Sequence, residues 1–266
     1  MLQYCLRRND IHKTIINLKT YFKMQILRKV SVFWKSVFLL MMIALPSALA
    51  AQESGKGEFY GSVDLSSKHL WRGIPAGESP MVKPTVGLNM GNFDVYLWGA
   101  WDFEDTYREV NIGLSYTVEN LTLELMDYFY PWSKDDIFKL GNNATTHQVE
   151  LIATYEFEKI PVHITGGTFI YGDDKNWKGK QAFSTYFEGG YTHEFDERNS
   201  LAAVAGFSVG KGMYTDYTKN FGIVNLTAEY TRLFTVFNYD LPATVSYTYN
   251  PYLEKSWAYV TLSFGF

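Results

Sequence analysis

The sequence predicts an all-β protein, an antiparallel up-and-down transmembrane β-barrel of about twelve strands. Three observations predict it. From Ala51 onward the chain falls into segments of about ten residues with apolar side chains at every second position, which is strand periodicity at the length that crosses a tilted bilayer. The connections between these segments alternate between short turns and longer polar loops. The closing stretch 256–266, S-W-A-Y-V-T-L-S-F-G-F, sets Ala258, Val260, Leu262, Phe264 and Phe266 on one apolar face, as the last strand of a sheet closed on its first requires. A secreted β-sandwich shares the alternation but has no reason to sort its connections by length.

The elements follow in order. The first strand is expected over 58–71, then a Gly/Pro loop over 72–81. The second, 82–90, puts Val82, Pro84, Val86, Leu88 and Met90 on one face, and Gly91-Asn92 is a tight-turn signal. Strands over 93–102, 108–118 and 121–130 are joined by a short loop and by Glu119-Asn120. A polar loop at 131–145 precedes strands 146–157 and 161–171, with a turn at 158–160. After the loop 172–181 come strands 182–195 and 200–209, then the loop 210–220. Strands 221–234, 242–250 and the final 256–266 complete the count. Short turns on one side and longer loops on the other match the periplasmic and extracellular ends of an outer-membrane barrel.

Residues 1–50 read as an export signal. Arg28, Lys29 and Lys35 precede the apolar run 37–45, and Ala48-Leu49-Ala50 offers an A-x-A cleavage site. That run is too short for a spanning helix. Residues 1–23 have no role in such a signal, and Met24 is a more usual start, so they read as an N-terminal extension. The domain expected to fold is 51–266. Removing 1–50, with its eight Lys+Arg and one acidic residue, leaves 16 basic and 27 acidic side chains, a net charge of −11. Such an acidic product is a poor partner for nucleic acid. Cys5 falls in the excluded segment, so thiolate chemistry and disulfides are not expected, and no cofactor is implied. Aromatic residues, 17 % of the chain, suit interfacial girdles.

Four stretches resemble one family. D-L-S-S-K-H-L-W-R-G-I at 64–74, with Trp71-Arg72-Gly73 at its end, F-D-V-Y-L-W-G-A-W at 93–101, and L-T-L-E-L-M-D-Y-F-Y-P at 121–131 are similar to motifs of the TorF-type porin family, and the segment between them to Gly87 continues the likeness. Lys68-His69 and Leu70 depart from its usual residues. The resemblance implies a small outer-membrane barrel and brings no catalytic residue. The final strand, with Phe264 and Phe266, resembles the C-terminal signature that the barrel-assembly machinery reads.

If the apolar faces meet lipid, the opposite faces line a lumen containing Asp64, Lys68, Lys83, Asp94, Asp102, Glu109, Glu124, Glu150, Glu188 and Glu229. The excess of carboxylates calls for water, since a dry unpaired charge costs several kcal/mol. A narrow channel for small polar solutes or cations is therefore expected, against a plugged, poorly conducting barrel. Arg72 either meets an inward carboxylate near the rim or closes its loop structurally, and Gly73 serves the turn. Two other classes of protein compete with this reading. A lipid-modifying enzyme needs a nucleophile, base and orienting group at one depth; of His69, His147, His163 and His193, only His147, with Thr145 and Thr146, makes such a pairing at the outer rim. An anchor or adhesion barrel would use loop residues such as Trp132 and Trp177. Asp135-Asp136 and Asp173-Asp174 lack the spacing of a calcium loop and read as solvated charge.

Overall fold

The computed structural model describes residues 57–77, 79–131, 136–141 and 144–265. The export signal, Trp132, Asp135 and Phe266 lie outside the described residues. Twelve antiparallel strands close into a barrel: β1 (Glu58–Ser66), β4 (Met81–Met90), β5 (Phe93–Asp102), β6 (Arg108–Val118), β7 (Leu121–Phe129), β8 (His147–Glu156), β9 (Val162–Gly172), β10 (Thr185–Asp196), β11 (Asn199–Val209), β12 (Phe221–Val236), β13 (Tyr239–Asn250) and β14 (Lys255–Gly265). Each pairs with its sequence neighbours in the barrel, and β1 also pairs with β14, from Ser62↔Gly265 to Ser66↔Thr261. A separate two-stranded hairpin, β2 (Leu70–Trp71) and β3 (Ile74–Pro75), sits between β1 and β4.

The alternation in sequence becomes an inside and an outside. Leu65, Leu97, Ile112, Leu125, Leu151 and Val245 are exposed on the outer wall. Aromatic pairs mark its two ends. Phe93–Tyr116 and Tyr239–Phe264 lie near the short turns, and Phe207–Phe221 lies near the loops. A jacket of this kind suits lipid, with Tyr and Phe at the interfaces. The short turns include Phe237-Asn238, both at positive φ (48° and 67°), the signature of a two-residue primed hairpin. That turn is why β13 starts at Tyr239 rather than at residue 242.

The first strand departs from expectation. It stops at Ser66, not Trp71. Ser66 Oγ donates to the Lys68 carbonyl (2.6 Å), and Ser67 N–H still reaches Val260 O (2.9 Å). The chain then leaves the wall and makes its own hairpin.

Inside, glycines recess the wall for tyrosine rings. Tyr60 lies opposite Gly87, and a Cβ there would come 2.2 Å from the ring. Tyr96 lies opposite Gly113 in the same way, at 2.4 Å. Each ring crosses a strand and reaches a carboxylate on the next, Asp94 (2.8 Å) and Glu124 (2.5 Å). Gly113→Val is expected to push the Tyr96 ring aside and destabilise the folded barrel by roughly 1–3 kcal/mol. Tyr96→Phe, which loses only the hydroxyl, is expected to cost less, and urea titration in detergent followed by heat-modifiable gel mobility compares the two.

Candidate functional site: the barrel interior and its hairpin

The hairpin β2–β3 turns on Arg72 (φ 50°) and Gly73 (φ 78°), again a primed two-residue turn. Gly73 is required twice over, by its φ and because a Cβ would fall 2.0 Å from Val224 O. Asn250 Nδ2 donates to the Gly73 carbonyl (3.0 Å). This brings the tip, at 70–75, against β12 and β13 inside the barrel.

Two β-bulges flank the tip. One lies on β9 opposite Val149 and Glu150, the other on β12 opposite Gly206 and Phe207. They leave Phe169 and Val224 fully buried. Bulges re-aim side chains next to functional sites, and here both do so around one hairpin.

The Arg72 guanidinium is enclosed. Nη1 donates to Glu150 Oε1 and to Tyr214 Oη, each at 2.6 Å. Its carbon lies 4.7 Å from the centre of the Trp71 ring and 4.6 Å from that of Tyr186. Glu150 is 0 % exposed, and its second oxygen accepts from Tyr128 Oη (2.8 Å). Gly167 makes room for it, since a Cβ there would stand 2.3 Å from Glu150 Oε1. Trp71 packs on Tyr128, Phe169 and Tyr214 at 5.6, 6.2 and 5.6 Å between ring centres. Tyr214 comes from the 3-10 turn Met213–Thr215, whose first amide donates to Ser184 Oγ (2.8 Å). At this depth the side chains around Arg72 are closely packed.

The ten residues expected in the lumen are placed as follows. Asp64 meets Lys83 at 3.9 Å, and Glu150 meets Arg72. The other acidic members take neutral donors. Asp94 and Glu124 take Tyr60 and Tyr96, while Glu188 takes Tyr186 (2.6 Å). Glu229 takes Ser246 (3.0 Å) and Tyr259 (3.5 Å). Glu109 takes Tyr107 and Asn111. Asp102 sits at the loop rim and ties two loops together, accepting from Ser79 Oγ (3.0 Å) and from the amides of Thr106 (2.7 Å) and Tyr107 (3.0 Å). Lys68 lies in the segment between β1 and the hairpin. Tyrosine hydroxyls, more than water alone, answer the carboxylates. Sequence reasoning did not foresee these tyrosines as the carboxylates' partners, although Tyr60, Tyr96 and Tyr128 share strand parity with Asp64, Asp94 and Glu124.

The histidines do not converge. His69 lies with its ring tilted against Trp98 and Tyr107 (5.5 and 6.3 Å between ring centres). His147 bonds Asp127 through Nδ1 (2.8 Å) and meets Ile137 O through Nε2 (3.3 Å). Both residues belong to the outward parity of β7 and β8. His163 packs over Gly190, and His193 contacts Phe195 edge-on at 4.7 Å. Asp174 accepts from Ser184 N (2.8 Å) and Oγ (2.5 Å), and Asp136 pairs with Lys139 (2.6 Å). Among the described residues no three His, Cys, Asp or Glu side chains form a metal-like cluster. Trp177 is 82 % exposed, with Lys178 Nζ 4.5 Å from its ring centre. Phe264 lies on the outer wall, stacked on Tyr239.

No protein-family model matches the chain, and no curated protein matches it. Among solved structures it is similar to "KdgM porin", with 7 % identity over 78 % of this chain and 98 % of that one at a TM-score of 0.44. It is also similar to "NanC porin structure in rhombohedral crystal form", with 9 % identity over 77 % and 97 % at 0.45. A third, "Asymmetric conductivity of engineered proteins", shares 13 % identity over 70 % of this chain at 0.36, and the matched part spans 55 % of that chain's length. Likeness this loose carries no function, which is read below from strand pairing and side chains.

Removing one member of the buried pair leaves the other uncompensated. Arg72→Met is expected to destabilise the barrel by about 3–5 kcal/mol. Arg72→Met with Glu150→Gln is expected to cost clearly less than the sum of the two single changes. Chemical unfolding of the four proteins in detergent checks the cycle.

Proposed function

We propose that the chain is a small outer-membrane channel, a barrel that passes small polar solutes, cations preferentially, past a constriction made by the hairpin at 70–75. The observation that carries this reading is a charged, net-acidic interior enclosed by a closed barrel with an apolar jacket. Asp64, Asp94, Glu124 and Glu229 lie in the inward parity of their strands, and such charges inside an apolar-walled tube call for a water-accessible path. An acidic lining raises local cation concentration and repels anions. The Trp-Arg-Gly and Tyr-x-Tyr-Pro motifs, similar to TorF-type porins, agree with this. The export signal at 1–50 and assembly through the C-terminal strand, with Phe264 and Phe266, belong to the same proposal.

A lipid-modifying enzyme is less well supported. His147 spends both ring nitrogens on Asp127 and Ile137 O, and Thr145 Oγ1 accepts from the His147 amide (3.0 Å), so no described hydroxyl is poised against an imidazole base there.

Refolded protein whose heat-modifiable mobility shows a folded barrel is expected to give discrete, cation-selective steps in a planar bilayer. Changing Asp94→Asn, Glu124→Gln and Glu229→Gln together is expected to move the reversal potential under a salt gradient toward neutrality. A folded barrel that stays silent, or one that prefers anions, overturns this reading. Silence would direct attention to an anchoring role for loop residues such as Trp177.

A further inference from the structure

We infer that the cage around Arg72 is a binding site for a solute carrying a guanidinium or ammonium group, and that the chain's own arginine fills it as an internal substitute. The inference rests on the channel reading and names the solute class for it. Four features of the cage are those a delocalised cation needs. It has two aromatic faces against the guanidinium, Trp71 and Tyr186, at 4.7 and 4.6 Å. It has a carboxylate, Glu150, and a phenol oxygen, Tyr214, both accepting from Nη1 at 2.6 Å. Trp71 and Arg72 belong to the hairpin. Glu150, Tyr186 and Tyr214 belong to β8, to β10 and to the loop 210–220, so these three remain for an entering cation when the hairpin withdraws, while the Trp71 face leaves with it.

Withdrawal alone is strongly opposed. Glu150 is fully buried, and Tyr128 offers it a neutral donor rather than a charge. Taking Arg72 away leaves an uncompensated carboxylate, which a packed interior resists unless another cation enters. Hairpin exit and cation entry are therefore linked, and each favours the other by the same factor. The tip is suited to leave. Arg72 holds φ 50°, a conformation that costs most non-glycine residues free energy, and it does so where asparagine or glycine would be ordinary. Glu124, one strand away on β7, extends the negative potential from the cage along the lumen.

Single-channel recording tests the site with guanidinium chloride at millimolar concentration, against equal sodium chloride and urea. Guanidinium is expected to raise the open probability of the native channel about fivefold or more. The Glu150→Gln channel is expected to ignore it. The Arg72→Ala channel is expected to open unaided and to show brief guanidinium blocks. A conducting native channel indifferent to guanidinium, or a Glu150→Gln channel that responds as the native one does, overturns the inference and leaves the channel reading intact. Thermal unfolding in detergent reads the same site without conduction. Guanidinium at the same concentration is expected to raise the melting temperature of Arg72→Ala but not of Arg72→Ala with Glu150→Gln. If both native and Arg72→Ala barrels are silent yet this protection appears, the site stands and the channel reading falls. If the protection is absent, the site falls.

Discussion

The pairing of β1 with β14 is the constraint on which the rest depends. An apolar jacket leaves the backbone no water to bond, so every amide and carbonyl of the wall must find a neighbouring strand. Pairing from Ser62↔Gly265 to Ser66↔Thr261 removes the last free edge. Once the sheet is closed, side-chain direction is no longer a local choice. Every second residue faces in, and a shift of one would put Asp64, Glu124 and Glu150 into the jacket. Apart from the bulges, pairing also lapses where the residue itself forbids it. The β4–β5 register skips Lys83 and Pro84, where proline has no N–H to give.

Closure creates the second problem, a crowd of inward carboxylates. The interior answers it chiefly with tyrosines. A phenol reaches across a glycine to a carboxylate two strands on, so one hydrogen bond ties three strands together. Magnitudes show where charge pairs matter. Arg198 and Asp240 lie 3.6 Å apart with both side chains more than half exposed, and such a pair is worth about 0–1 kcal/mol. Arg72 and Glu150 lie 2.6 Å apart, nearly or wholly buried, and losing either partner there costs several times as much.

Period-two patterning and turn chemistry are local, and they made the barrel, its strand count and its short turns legible in the sequence. The hairpin was not. Alternation continues through Leu70 and Trp71, so the first strand was extended to Trp71, while the stop at Ser66 depends on hydroxyl bonds to residues near 260. Arg-Gly is also a weak turn signal compared with Asn-Gly. The option that Arg72 meets an inward carboxylate could be stated from sequence, but its partner is 78 residues away and only closure brings the two together. Parity places Tyr96 on the face of Asp94 and Tyr128 on the face of Glu124, but their bonds to Glu124 and Glu150 run between strands and appear only once the strands are in register.

Stability does not explain why the hairpin ends in arginine. A buried ion pair is no better for stability than apolar side chains of similar volume, and replacing one is often neutral or favourable. The surroundings would accept such a replacement, because Trp71 already packs on Tyr128, Phe169 and Tyr214. The backbone argues the same way, since φ 50° suits glycine or asparagine better than arginine. A hairpin selected only to fill the lumen would carry a small turn residue at its tip and leave position 150 apolar. This one accepts backbone strain and a buried carboxylate together. What that combination supplies, and an apolar plug does not, is a contact that another cation can take over.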